Sequence, residues 1–316
     1  MPYERKIICG NSNRPLAEKI AERADCALAQ CEVSRFSDGE IFVQINENVR
    51  GTDLFIVQST NPPAENLMEL LMMIDAARRA SAERITAVVP YFGYARSDRK
   101  AQPRVTIAAK LVANLMVAAG SDRVLTMDLH APQIQGFFDI PTDHLYSSLI
   151  FDRYFQQIGL KEPVIVSPDV GSIKIARAFS KTLKGSLAIV DKRRASANHS
   201  EVMHIIGEVS GKPAIIRDDM IDTGGTLTDA AYAIKERGAG DIYACCTHAV
   251  LSGRAVERIE RSPIKKMIVS DTIDLSHKGL PEKIEVVSSA ELFAQAIMRI
   301  HQEETIAELF RGLAPE

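Results

Sequence analysis

Short runs of Val, Ile and other apolar residues recur along the whole chain, at positions 54–57, 85–89, 124–127, 164–166, 187–190, 214–216, 242–246 and 267–269. Each predicts a buried strand. Between many of them lie longer segments with helical spacing. Over 106–119, Ala108, Leu111, Leu115 and Ala119 share one face, and Gly120 follows as a C-terminal stop. Strands alternating with helices predict parallel sheets. The same grammar appears before and after about residue 146, so the chain is expected to form two α/β units in tandem, 1–146 and 147–316. An irregular, strand-rich patch at 31–45 interrupts the first unit.

The 316 residues fit two domains better than one. With 46% hydrophobic and 25% charged residues the composition is that of an ordinary globular protein, which excludes disorder, collagen and coiled coil. The longest stretch without a charged residue, 242–253, contains Thr247, His248 and Ser252, so no membrane helix is expected. The N-terminus lacks the apolar core of a signal peptide, and five cysteines form no CxxC pair. Reduced, mostly buried thiols in a cytoplasmic protein are the expectation. Lys+Arg (38) nearly balances Asp+Glu (41), and the net charge of −3 argues against nucleic acid as the main partner.

Open parallel sheets bind ligands outside the carboxyl ends of their strands, where loops and helix N-termini offer backbone donors. The most informative segment of this kind is Arg217-Asp218-Asp219-Met220-Ile221-Asp222-Thr223-Gly224-Gly225-Thr226, between the run at 214–216 and a helix expected near Leu227. Gly224 and Gly225 permit close backbone approach and positive φ, while Thr223 and Thr226 add hydroxyls, so the turn suits a phosphate monoester. Thr226 with Asp229 also fits a simple helix cap, which leaves the acidic pair Asp218-Asp219 unexplained. Two carboxylates beside a phosphate cradle suit a ligand whose hydroxyls, or a divalent cation, lie near its phosphate. A phosphorylated sugar has both. No GxxxxGK[ST] segment occurs, and Gly238-x-Gly240 follows a helix and lacks a third glycine.

Four other places carry polar residues after apolar runs. Asp191-Lys192-Arg193-Arg194 reads as a polar loop whose cations could meet charge on a transferring phosphoryl group, or as a solvated charge run. Asp128-Leu129-His130 and Ser167-Pro168-Asp169 each set an ionisable side chain at a strand end. Mg²⁺ prefers oxygen and takes one or two carboxylates from a protein, which favours Asp169 over His130 as a ligand. The segment 91–100, with Arg96, Ser97, Asp98 and Arg99, and the upstream Phe36-Ser37-Asp38-Gly39-Glu40 combine aromatic and charged residues. They suit either a purine nucleotide or a surface turn with ion pairs.

Taken in order, these five motifs resemble the ribose-phosphate diphosphokinase (PRPP synthase) family over essentially the full chain. The segment 218–226 resembles the binding signature for 5-phosphoribosyl 1-diphosphate (PRPP). The resemblance implies two phosphoribosyltransferase-like α/β domains, each a mainly parallel sheet flanked by helices, with the last helix packing on the first domain. It implies transfer of the β,γ-diphosphoryl group of ATP to the 1-hydroxyl of ribose 5-phosphate, with Mg²⁺, giving PRPP and AMP. By position, Lys192 and Arg194 would be catalytic. Arg194, Asp218, Asp219, Asp222, Thr223, Gly224, Gly225 and Thr226 would hold ribose 5-phosphate. Phe36, Asp38, Gly39, Glu40, Arg96, Ser97, Asp98 and Arg99 would contact ATP, those of the Phe36 motif from a neighbouring subunit of a homohexamer. His130 and Asp169 would belong to the metal site.

The chain departs from the family pattern at Ser97, where Gln is usual, at Pro132, where Gly is usual, and at Ala195-Ser196-Ala197, where two prolines and an arginine are usual. A family regulatory site for phosphate and ADP would involve the regions of 50–52, Gln135 and Asp143. A phosphoribosyltransferase consuming PRPP would need only the 218–226 cradle. An inactive regulatory homologue should show damage at Lys192, Arg194, His130 or Asp169, and all four match.

Overall fold

A computed structural model describes residues 3–193 and 202–310, which form two compact units. The first comprises Met1–Tyr146, Thr272–Asp274 and Ser288–Phe310, the second Ser147–Asp271 and Leu275–Val287. In the first unit β1 (Arg5–Cys9) and α1 (Arg14–Arg23) precede a separate antiparallel hairpin of β2 (Cys31–Arg35) and β3 (Ile41–Ile45). Then follow β4 (Asp53–Val57), α2 (Glu65–Arg79), β5 (Arg84–Val89), α3 (Ala108–Ala119), β6 (Arg123–Met127) and β7 (Thr142–Leu145). The five-stranded parallel sheet runs β1-β4-β5-β6-β7.

The second unit contains α4 (Ser148–Ile158), β8 (Val164–Ser167), α5 (Ile173–Thr182), β9 (Ser186–Arg193), β10 (Val202–Ile206), β11 (Ala214–Ile221), α6 (Gly225–Glu236), β12 (Ile242–Ala249), α7 (Ala255–Arg261), β13 (Ile264–Ser270) and β14 (Ile284–Val287). Its seven-stranded sheet runs β10-β9-β8-β11-β12-β13-β14, with only the β9/β10 pair antiparallel. Helix α8 (Ala290–His301) returns to the first unit. There Arg84 Nη2 donates to the Ile300 carbonyl (2.9 Å), and His301 Nδ1 lies 2.9 Å from the fully buried Asp53 carboxylate.

All eight expected strands are present. The central ones are buried on both faces, as parallel strands covered by helices must be: every residue of β4 and β12 is buried. Helix α3 ends, as expected, at Gly120 in the left-handed region. Its packing face differs from the expectation. Ala109, Val112, Ala113 and Met116 are buried, whereas Leu111 and Leu115 are exposed. The helix is apolar around most of its circumference, so two competing stripes satisfy helical periodicity and only contact with the sheet chooses between them. All five cysteines are free thiols, three of them buried.

Candidate active site

In the second unit β8 sends its connection to β9 on one side, while its other neighbour, β11, sends its own to β12 in the opposite direction. The loops after β8 and β11 therefore open a crevice at the carboxyl edge of the sheet. Strand β11 outruns its apolar start and continues to Ile221, so Asp218 and Asp219 lie inside the strand rather than beyond its end. Asp218 Oδ1 accepts hydrogen bonds from Ser172 Oγ (2.6 Å) and from the Asp219 N–H (2.9 Å). Ser172, at the entry to α5, also donates its N–H to Asp169 Oδ1 at 3.0 Å. One serine thus ties the loop after β8 to the end of β11. Burial, followed by the neighbouring Asp219 charge, pushes the Asp218 carboxyl above its usual range.

Beyond β11 the chain turns at Gly224, whose φ of +76° favours glycine, directly into α6. The helix begins two residues before the expected Leu227, so Thr226 sits within its first turn and is not its cap. Among the described residues no side chain caps this end, which leaves the first-turn N–H groups directed at the turn, an arrangement suited to an anion. The Thr228 hydroxyl instead donates to the carbonyls of Gly224 and Gly225, at 2.9 and 3.1 Å. Ser252 holds Asp222 through hydroxyl-to-carboxylate and N–H-to-carbonyl bonds, and Arg258 Nη1 donates to the Thr223 carbonyl at 3.1 Å. Thr223 and Thr226 are exposed at the mouth. Sequence reasoning missed Ser172, Ser252 and Arg258. Ser172, three residues after Asp169, carried the only local signal; the other two reach the turn from elements distant in sequence.

Asp191, Lys192 and Arg193 continue strand β9 instead of forming a loop, with Lys192 opposite Met203 and Arg193 opposite Val202 of β10. Arg194 lies outside the described residues.

The remaining candidates belong to the first unit. Phe36, Asp38, Gly39 and Glu40 form the exposed tip of the β2–β3 hairpin, closed by bonds between Phe36 N and Glu40 O (2.9 Å) and from Gly39 N to Phe36 O (2.9 Å). After β5, Gly93 packs so tightly that a Cβ there would lie 2.1 Å from the Thr60 carbonyl oxygen. The following turn carries exposed Arg96 and Arg99 and half-buried Ser97 and Asp98, with Gln133 donating to Asp98 at 2.8 Å. After β6, Asp128 is buried with φ +37°, His130 is exposed, and the Leu129 N–H between them donates to His144 Nε2 at 2.9 Å. Asp169, the other expected metal ligand, belongs to the second unit. Among the described residues no group of three or more His, Cys, Asp or Glu side chains converges as a metal cage.

A glycine turn into an uncapped helix at the switch point of a parallel sheet, joined to a paired-acid strand, marks a phosphoribosyltransferase-like α/β protein. The profile of the N-terminal domain of ribose phosphate pyrophosphokinase matches residues 5–120, and that of the phosphoribosyl synthetase-associated domain matches residues 193–311. The ribose-phosphate pyrophosphokinase of Clostridium tetani is 57% identical over 98% of this chain and 99% of its own length. That of Chlorobaculum tepidum is 56% identical over 96% and 94%. The crystal structure of phosphoribosylpyrophosphate synthetase from Mycobacterium smegmatis superimposes with a TM-score of 0.89 at 38% identity, covering 95% of this chain and 99% of that one. The chain belongs to the ribose-phosphate pyrophosphokinase family.

Proposed function

We propose that the protein transfers the β,γ-diphosphoryl group of ATP to the 1-hydroxyl of ribose 5-phosphate, giving PRPP and AMP. The observation that carries this reading is the cradle at the end of β11: an uncapped helix start for the 5-phosphate, preceded by buried Asp218 and Asp219 placed to accept from ribose hydroxyls. Asp222, Thr223, Gly224, Gly225 and Thr226 surround the phosphate. Lys192 and Arg194 supply cationic charge to the transferring group, whose displacement needs alignment and charge stabilisation more than covalent help. Phe36, Asp38, Gly39, Glu40, Arg96, Ser97, Asp98 and Arg99 bind ATP.

Asp169, whose carboxylate accepts from the Ser172 N–H, suits Mg²⁺ as an oxygen donor, and the motif resemblance adds His130 as a second residue that would hold the ion. When bound, the ion neutralises charge on the polyphosphate. A homohexamer in the cytoplasm is the proposed state. The exposed Phe36 tip, which would reach a neighbouring subunit's ATP, and the exposed Leu111 and Leu115 on α3 support self-association. No helix among the described residues is long and apolar enough to cross a membrane.

The test is incubation of the purified chain with ATP, Mg²⁺ and ribose 5-phosphate while nucleotides are resolved. AMP is the expected product. ADP, or no turnover, would overturn the assignment.

A further inference from the structure

An arginine stands immediately before the acidic pair, in a strand that is otherwise apolar up to that point. Arg217 is the largest fully buried side chain among the described residues, at 1% exposure. A guanidinium removed from water is costly unless most of its donors are satisfied, and here the two terminal nitrogens are. Nη1 donates to the carbonyl of Asp218, and Nη2 donates to Ser147 Oγ (2.7 Å) and to Thr247 Oγ1 (3.2 Å), while the guanidinium carbon stands 4.7 Å from the centre of the Phe151 ring. The Ser147 and Thr247 hydroxyls are themselves 2.7 Å apart.

These bonds coincide with an interruption in the sheet. The β11/β12 ladder pairs Arg217 with Cys245 and Asp218 with Cys246, then resumes at Met220 with His248, passing over the Asp219/Thr247 position. At that position Arg217 bridges the Asp218 carbonyl on β11 and the Thr247 hydroxyl on β12. On the other side of the same peptide, the Asp219 N–H turns to Asp218 Oδ1. Both polar ends of the Asp218–Asp219 peptide are therefore taken up locally, one by a side chain from beneath the site. Asp152, on α4 and 4% exposed, is a buried carboxyl in electrostatic contact with Arg217.

We infer that Arg217 is a positioning residue for ribose 5-phosphate: its forked guanidinium fixes the Asp218–Asp219 peptide, and through it the two carboxylates that receive the sugar. This rests on the proposed function of the cradle. Lysine would keep the charge but could not bridge two strands with a planar fork.

The experiment compares the full-length wild type with Arg217→Met, Arg217→Lys and the double variant Arg217→Met/Asp152→Asn, measuring KM for each substrate, kcat, Tm and calorimetric binding of ribose 5-phosphate. The double variant removes both buried charges together and so avoids stranding Asp152, which makes it the informative fold control. Loss of a bond from a charged donor predicts a rise of roughly tenfold to hundredfold in the KM and Kd for ribose 5-phosphate, with the KM for ATP within about twofold. That rise should persist in the double variant even where Tm returns to the wild-type value, and Arg217→Lys should recover little of it. Recovery of ribose 5-phosphate affinity along with Tm in the double variant, or equal effects on both substrates, would show a merely structural role and overturn the inference. A wild type that binds no ribose 5-phosphate would overturn the cradle assignment itself, a result separable from a failure of Arg217 alone.

Discussion

Replacing Gly224 by alanine tests the cradle with a perturbation whose origin can be specified. At φ +76° an L-residue is strained by roughly 1–2 kcal/mol. Space is not the obstacle, because an added Cβ would stand 3.5 Å from the Ala255 Cα and carbonyl oxygen, an ordinary contact. The strain can be borne in place, lowering stability, or relieved by shifting the turn, which misdirects the first N–H groups of α6. At about 2–4 °C per kcal/mol for a domain of this size, full retention of the strain lowers Tm by roughly 2–8 °C. Full relief converts the same 1–2 kcal/mol into a roughly 5- to 30-fold higher KM for ribose 5-phosphate. Gly159→Ala is the control. That glycine, at the end of α4, has φ +69° and open space around its Cβ, so it carries the backbone strain without a cradle to disturb. Differential scanning calorimetry and steady-state kinetics on both variants should show Tm falling in each, with KM for ribose 5-phosphate rising only for Gly224→Ala. A Gly224→Ala variant whose Tm and KM for ribose 5-phosphate both stay at the wild-type values, the turn having shifted without cost to binding, would refute phosphate binding at this turn. An equal rise in KM for ATP would refute its assignment to the sugar substrate.

Asp152→Asn should change the pH dependence of stability, because burial pushes that carboxyl up to about 7 in the folded chain. A raised carboxyl favours folding most at low pH and loses that contribution as pH rises from its ordinary range through 7. The variant should therefore gain on wild type by about 2–3 kcal/mol between pH 5 and pH 8, the rest of the roughly 4 kcal/mol full shift accruing below pH 5; a pH-independent difference in Tm would contradict this. Gly93→Ala should destabilise the first unit by roughly 1–3 kcal/mol or more, since the intruding Cβ meets backbone rather than a movable side chain; unchanged urea unfolding would show that the turn yields freely. Lys192→Ala should lower kcat by roughly 10³ to 10⁵ while disturbing substrate binding far less; intact kcat would return this stretch to a solvated charge run.

The central strands of both sheets and the glycine turn after β11 were legible in the sequence for one reason: burial on both faces demands continuous apolar runs, and the polar residues that follow them mark the carboxyl edge. Four strands escaped notice, β1, β7, β10 and β14, and each is an edge strand. Edges need only a half-buried backbone paired on one side, so Thr142–Leu145 can be a strand with no apolar run. Helix α3 shows the complementary limit. Its periodicity fitted a stripe containing Leu111 and Leu115 as well as the stripe that packs, and no local rule separates them. Residue types alone made a phosphorylated-sugar site at the end of β11 an expectation, because carboxylates followed by hydroxyl, glycines and hydroxyl suit such a ligand. Tertiary structure decided which groups hold that site in place. Ser172, Ser252 and Arg258 reach it from other elements, and Arg217, buried within β11, becomes tolerable only once Ser147, Thr247 and the Asp218 carbonyl accept from its terminal nitrogens.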